Sequence, residues 1–146
     1  MATIRQANAA DELEILALLR IYCDEANTPL TDDHLLAALK PLLQENQHGV
    51  VLVAEREKII GYSILTWGWG IESGGQEALV DEMLIAPAER GRGIGEQLLK
   101  ASLERAKKQG VKVVFLETEK DNPRSRDLYS RVGFEEESSI WMSYHF

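Results

Sequence analysis

Cysteine and histidine are scarce in this chain of 146 residues. Cys23 is its one cysteine, so no disulfide can form within the chain. The histidines, His34, His48 and His145, are widely spaced and do not form a metal-ligand pattern. We therefore expect no metal site. We expect Cys23 to be a packing residue rather than a nucleophile, because it follows Tyr22 in an amphipathic helical pattern.

Long apolar segments and excess positive charge are missing as well. No apolar run approaches the ~20 residues of a membrane span, and the first residues contain no signal-peptide stretch. We expect no membrane contact and a cytoplasmic location. The formal charge of −8 opposes nucleic-acid binding, which needs clustered Lys and Arg, and makes a cationic small molecule the better partner. The same charge also suits an ordinary soluble surface.

The apolar residues predict a mixed α/β (α+β) fold with helices on both faces of a central sheet. With 45% hydrophobic residues, the chain can build the core of one domain. The predicted order is βααβββαβαβ. Its strands are residues 2–6, 50–54, 59–69, 78–85, 111–118 and 140–146, and its helices follow the apolar stripes and caps between them.

A glycine-rich run follows the fourth predicted strand and reads Arg90-Gly91-Arg92-Gly93-Ile94-Gly95. Glycines let backbone N–H groups approach a ligand, and the first turn of a helix leaves its N–H donors unpaired. The run therefore predicts a phosphate or pyrophosphate site. It is not a dinucleotide fingerprint, because Glu96 stands where the third glycine belongs, and no Lys-Ser or Lys-Thr pair follows to make a P-loop.

A second pattern, N-x(6)-Y-x(3)-G-F, is formed by Asn122, Tyr129, Gly133 and Phe134. In this order, R-x-x-G-x-G followed by N-x(6)-Y-x(3)-G-F, the two segments resemble the GNAT superfamily of N-acetyltransferases. The predicted order of elements is similar to that family's fold over essentially the whole chain. The resemblance implies one N-acetyltransferase domain over residues 1–146.

The resemblance also implies how acetyl-CoA would bind as cosubstrate. The pyrophosphate would meet backbone N–H groups of the glycine run, with Arg90 or Arg92 adding a charged contact. The pantetheine arm would run beside the preceding strand, where an N–H at Leu84 or a neighbour would face the oxyanion. The cofactor-binding residues expected on this basis are Met83, Leu84, Ile85, Arg90, Gly91, Arg92, Gly93, Ile94, Gly95, Glu96, Asn122 and Tyr129.

Tyr129, Asp81 and Glu82 are the candidate catalytic residues. The resemblance places Tyr129 near the thioester sulfur as a proton donor; without the resemblance it would be read as a core residue. Asp81 and Glu82 precede the pantetheine strand, and one of them would accept the amine proton unless a water relay does. Strand alternation predicts that the two carboxylates point to opposite faces.

The stretch from Gly61 to Glu82 is similar to the polyamine and thialysine acetyltransferase branch, through Trp67, Trp69, a glycine turn and the acidic pair. The tryptophans would stack on a cation or pack against the first two helices. The expected function is transfer of acetyl from acetyl-CoA to a primary amine of a small molecule, polyamine or amino-acid-like. The alternatives are acetylation of a protein N-terminus or lysine, and a non-catalytic CoA-binding regulatory module.

The family resemblance also implies a homodimer that pairs through its C-terminal strands. The apolar segment Ile140-Trp141-Met142 would contribute to that face, although the same residues could instead be interior.

Overall fold

A computed structural model describes residues 1–146, and its central element is a five-stranded mixed sheet with the strands in sequence order. The first four strands pair antiparallel with their neighbours, while the fifth lies parallel to the fourth. A parallel neighbour requires a crossover, and a long helix provides it here. The strands are β1 (Thr3–Gln6), β2 (Gly49–Glu55), β3 (Ile59–Gly70), β4 (Gly75–Ile85) and β5 (Val113–Leu116).

The helices begin and end at the residues that local chemistry favours. An Asn8–Asp11 capping box starts a short 3₁₀ turn that leads into α1, and the Thr31 hydroxyl caps the next helix by accepting from His34 N at 3.2 Å. Gly110, with φ of +92°, ends the crossover helix. The helices are α1 (Glu12–Glu25), α2 (Asp32–Leu42), α3 (Ile94–Gln109) and α4 (Pro123–Val132).

Two apolar layers cover the sheet, one on each face. Val51, Val53 and Tyr62 pack with α1 and α2 in the first layer. Val50 and Leu65 pack with α3 in the second. Because alternate strand residues enter opposite layers, β2 and most of β3 are buried on both faces. The mixed α/β class with helices on both faces, predicted from the sequence, is confirmed.

The last predicted strand, Ile140 to Phe146, is the one element that does not form. A strand needs a neighbour for its backbone groups, and the chain that leaves α4 does not pair with the outer edge of β5. The segment is exposed instead: Met142 has 91% of its surface accessible. Tyr144 and Phe146, two residues apart, contact each other with ring centroids 5.4 Å apart.

None of the helices is both long enough and apolar enough to span a membrane.

Candidate active site

Strand β4 extends beyond the end of its pairing with β5. The parallel register ends at Val80 opposite Leu116, whereas β4 continues to Ile85. Ala86 N donates to Ile60 O at 2.8 Å, so Ala86 and Ile60 form a hydrogen-bonded pair of the ladder between β4 and β3. Hydrogen-bonded pairs alternate in an antiparallel ladder, so Met83 and Ile85 direct their N–H groups away from β3, into the opening beyond β5.

The side chains of this strand end divide between the two layers. Leu84 packs with α1 and α2, whereas Met83 and Ile85 pack on the α3 side. The Leu84 N–H points into the ladder with Tyr62, so of the strand residues expected at the oxyanion, Met83 and not Leu84 faces the opening.

The chain then turns through the glycine run into α3, and this turn leaves a row of unpaired donors. The backbone N–H groups from Gly91 to Glu96 donate to no backbone acceptor, and the first bond of the helix is Gln97 N to Gly93 O at 3.1 Å. Gly91 and Gly93 both have φ of +80°, a conformation that favours glycine. Ile94 is buried and offers only its backbone. Free N–H groups with the helix dipole behind them form an anion site.

Both arginines expected at the pyrophosphate already have partners within the chain. Arg90 donates to both carboxylate oxygens of Glu25, at 2.9 and 2.7 Å, and to Ile85 O at 2.8 Å, so it ties the turn to α1 and to the end of β4. Arg92 lies 3.3 Å from Glu89 and is largely exposed. Arg90 therefore holds the turn in place, and Arg92 is the freer of the two charges.

Arg124 is a further cation at the turn, and the sequence analysis missed it. Its Nη2 lies 3.7 Å from the position that a Cβ on Gly91 would take. It forms no ion pair. A signal was present in the sequence, because a cation in the first turn of a helix opposes the helix dipole.

Helix α4, which packs beside α3, carries Asn122 and Tyr129. Asn122 Oδ1 caps the helix by accepting from Ser125 N at 3.3 Å, which leaves its Nδ2 free to donate. Tyr129 is half-buried in the α3 layer, with its ring 6.2 Å from that of Phe134. Burial raises the pKa of the Tyr129 phenol, and the Ser125 hydroxyl offsets part of that rise. Glu96, in the first turn of α3, pairs with Lys100 and Arg131.

The two candidate carboxylates sit at a bulge in β4. Ile64 pairs with Glu82 while Leu65 pairs with Val80, so Asp81 is the extra residue. The bulge interrupts the alternation on which the prediction of opposite faces depends. Burial raises the pKa of both carboxyl groups, and the charge of Asp81 raises that of Glu82 further.

Tyr22, on α1, belongs to the same neighbourhood. Burial raises the pKa of its phenol most, followed by the charges of Glu82 and Asp81 and then by Tyr129. Asp81 and Tyr129 line the same cleft. Glu82 is next to Asp81 in the chain, and the charges of both carboxylates reach Tyr22. In the sequence, Tyr22 was read as part of the apolar helix stripe, and nothing local distinguishes it from a packing residue.

The two tryptophans differ in their surroundings. Trp67 packs on the α3 face with Arg105 above its ring at 5.6 Å, so the alternative of packing against the first two helices is wrong for this residue. Trp69 is 77% exposed.

Comparison with known proteins shows the family to which the chain belongs. The sequence model of the Acetyltransferase (GNAT) family matches residues 15–134. The uncharacterized N-acetyltransferase YhfO of Bacillus subtilis is 31% identical over 138 residues, which cover 94% of this chain and 92% of that protein. The L-methionine sulfoximine/L-methionine sulfone acetyltransferase of Pseudomonas aeruginosa is 30% identical over 143 residues, 92% of this chain and 80% of that protein.

A solved structure extends the likeness to three dimensions. Aminoglycoside N-acetyltransferase AAC(6')-Iy in complex with CoA superposes with a TM-score of 0.85 over 99% of this chain and 95% of that chain. At 21% identity this likeness concerns the fold. The family match covers most of the chain. It includes the turn with the free N–H groups, and it includes Tyr22 and Tyr129. The chain belongs to the GNAT family and is an N-acetyltransferase.

Proposed function

We propose that this protein transfers the acetyl group of acetyl-CoA to a primary amine of a small cationic molecule. The observation that carries the proposal is the arrangement around the opening beyond β5. The turn before α3 offers the free N–H groups from Gly91 to Glu96, and Asp81 and Tyr129 line one cleft, with Glu82 next to Asp81. The turn suits a pyrophosphate, and the two carboxylates suit an amine.

In this proposal backbone N–H groups bind acetyl-CoA. Its pyrophosphate accepts hydrogen bonds at the start of α3, with Arg92 and Arg124 neutralising charge. Its pantetheine arm pairs with the outward N–H group of Ile85 in place of a further strand, which leaves the Met83 N–H for the carbonyl oxygen. Asn122 donates from its free Nδ2.

The acceptor amine must lose a proton before it can attack. An amine of pKa ~10.4 at neutral pH pays about 4.6 kcal/mol for that loss, and a nearby carboxylate offsets part of it. Glu82 and Asp81 are the bases we propose. Neither forms an ion pair within the chain, so both charges are available to a cation.

The neutral amine then attacks the thioester carbon, which forms the C–N bond and leaves the positive charge on nitrogen. The nitrogen gives this second proton to the carboxylate, which has already passed the first one to solvent. The Met83 N–H stabilises the oxyanion. The C–S bond breaks as the carbonyl re-forms, and the departing thiolate accepts a proton or a hydrogen bond from Tyr129. The products are an N-acetylated amine and CoA.

The acceptor is a polyamine or a basic, amino-acid-like amine in this proposal. The two carboxylates favour a cation, and the Pseudomonas aeruginosa relative is named for amino-acid derivatives. The proposed location is cytoplasmic, where acetyl-CoA is available.

The test is an assay of acetyl-CoA-dependent CoA release with a panel of polyamines, amino acids, amino-acid sulfoximines, aminoglycosides and N-terminal peptides. We expect at least one small amine to be acetylated, and Glu82→Gln or Asp81→Asn to lower kcat/KM for it. Glu104→Gln, an exposed acid on α3, is the matched control. Activity confined to peptides would contradict the small-molecule assignment, and no CoA release with any acceptor would contradict turnover.

A homodimer is also proposed, in which the C-terminal segment of one copy lies against β5 of the other. A cleft of about 900 Å³ runs along the outer edge of β5 and is lined by residues that include Phe115 and Val132, with Trp141 of the chain's own C-terminal segment at its border. The segment itself is apolar and exposed. A second copy of the chain supplies an apolar strand for an edge that has no partner.

A further inference from the structure

Tyr62 has a polar group where packing alone does not require one. It lies on β3 with 0% of its surface exposed, among the apolar side chains that join the sheet to α1 and α2. A phenylalanine would fill the same space without a hydroxyl to satisfy. A buried hydroxyl without a partner costs about 1–3 kcal/mol, so its partner matters. That partner is Glu82, whose Oε1 accepts from the Tyr62 hydroxyl at 3.0 Å.

We propose that Tyr62 is a positioning residue for Glu82, holding one carboxylate oxygen so that the other faces the acceptor amine. The proposal rests on the role of Glu82 as base given above. Glu82 follows the bulge at Asp81, where the strand is least regular. A hydrogen bond from a rigid, fully buried ring fixes a side chain that the backbone there leaves less constrained.

The other groups around Glu82 set its protonation. Burial raises the pKa of Glu82, the Tyr62 hydrogen bond lowers it, and Asp81 on the same strand raises it. Tyr22 and Cys23 on α1 and Tyr129 on α4 complete the titratable neighbourhood, and none of them is a cation. Tyr62 is therefore the group that favours the carboxylate form. Without it, Glu82 holds its proton to higher pH.

The neighbouring residue of β3 provides a matched control. Ser63 is also 0% exposed, and its hydroxyl accepts from Ser102 Oγ at 2.8 Å on the opposite face of the sheet. Ser63→Ala removes a buried hydrogen bond from the same strand without touching Glu82. Any effect of weakening β3 in general appears in both variants.

The first experiment measures Glu82 directly and does not depend on turnover. Carbon-13 NMR titration of the side-chain carboxyl groups is recorded for the wild type, Tyr62→Phe and Ser63→Ala. We expect the Glu82 pKa to rise in Tyr62→Phe and to stay at the wild-type value in Ser63→Ala. An unchanged Glu82 pKa in Tyr62→Phe overturns the proposal.

The second experiment measures the pH profile of kcat/KM for the amine found in the assay above. On the acidic limb, kcat/KM of Tyr62→Phe should fall about tenfold or more, the worth of one hydrogen bond to a charged group. As pH rises, the part of the loss due to the raised Glu82 pKa should disappear, and a smaller loss due to the unheld carboxylate should remain. The KM for acetyl-CoA should not change. An equal loss at every pH, or the same loss in Ser63→Ala, reduces Tyr62 to a structural residue. A wild-type profile in Glu82→Gln instead refutes Glu82 as the base, and this proposal with it.

Discussion

Tyr129 shows how one residue's surroundings limit its chemistry. An ordinary phenol has a pKa of ~10 and a thiol ~8.5, so full proton transfer from tyrosine to a thiolate is uphill by ~2 kcal/mol. Burial raises the pKa of Tyr129 and increases that gap. We therefore expect Tyr129 to stabilise the leaving thiolate mainly by a hydrogen bond, with a modest effect on rate.

Removing only the hydroxyl of Tyr129 tests this expectation. Tyr129→Phe keeps the ring and its contact with Phe134, so stability and acetyl-CoA affinity should change little. Turnover should fall by roughly 10- to 100-fold, at or below the lower end of the range for general acid catalysis. Tyr144→Phe, in the exposed C-terminal segment, is the control. If Tyr129→Phe turns over at the wild-type rate where chemistry is limiting, the thiolate takes its proton from water.

The acidic pair gives a prediction about pH. Because burial raises the pKa of both Asp81 and Glu82, the base loses its proton at a higher pH than an ordinary carboxyl group does. The wild-type kcat/KM should therefore decline on acidification at a pH above 3.8 and 4.5, the ordinary pKa values of Asp and Glu. A pH profile that stays flat down to those values would show that neither carboxylate is the base.

At the scale of elements, two glycines at the start of α3 look equivalent in sequence but have different backbone conformations. Gly93 has φ of +80°, whereas a Cβ on Gly95 would make ordinary contacts with Leu128 and Ile85 at 3.7 and 3.8 Å. A non-glycine residue in the left-handed region costs roughly 1–2 kcal/mol. Both positions have room for a Cβ, and only at Gly93 would the added Cβ strain the backbone.

We expect Gly93→Ala to lower the melting temperature and to weaken acetyl-CoA binding, because the strained turn no longer holds its N–H groups in one direction. Gly95→Ala should keep or raise the melting temperature, since alanine is the better helix residue by about 1 kcal/mol. Calorimetric scans and titrations of both variants make the comparison. Equal stability of the two would mean that the turn adopts another backbone conformation.

Much of the element structure could be predicted from the sequence because its signals are local. Thr31, Asn122 and Gly110 mark helix ends through their own side chains or conformations. The bulge at Asp81 could not be predicted, because it depends on how β4 registers with β3. For the same reason the link between Tyr62 and Glu82, 20 positions apart, has no signal in the sequence.

The last predicted strand shows the limit of a local pattern. Residues 140–146 have the composition of a strand, but strand formation also needs a paired edge. The site residues on β4, α3 and α4 were predicted through the family resemblance, and their catalytic roles stay predictions.

At the scale of the whole molecule, the open edge of β5 and the exposed C-terminal segment belong together in our proposal of a dimer. Light scattering should give a dimer for the wild type at micromolar concentration and a monomer for Met142→Lys. Leu13→Lys, at another exposed apolar position, should remain a dimer. A wild-type monomer, or a dimer that persists in Met142→Lys, would contradict this arrangement.

The opening beyond β5 is where sheet, loop and helix meet, and the account depends on what it binds. β4 supplies the outward N–H groups, the turn before α3 supplies the anion site, and α4 supplies Tyr129. In the proposed complex acetyl-CoA spans all three, with its pyrophosphate at the turn and its acetyl group beside Met83 and Tyr129.

The most direct test of the account is a crystal structure of the protein with a non-hydrolysable acetyl-CoA analogue. The account predicts that the pyrophosphate accepts hydrogen bonds from the N–H groups between Gly91 and Glu96. It also predicts that the carbonyl oxygen lies within hydrogen-bonding distance of Met83 N, with the Tyr129 hydroxyl beside the atom that replaces sulfur. A pyrophosphate bound elsewhere, or an acyl group remote from Met83 and Tyr129, would contradict it.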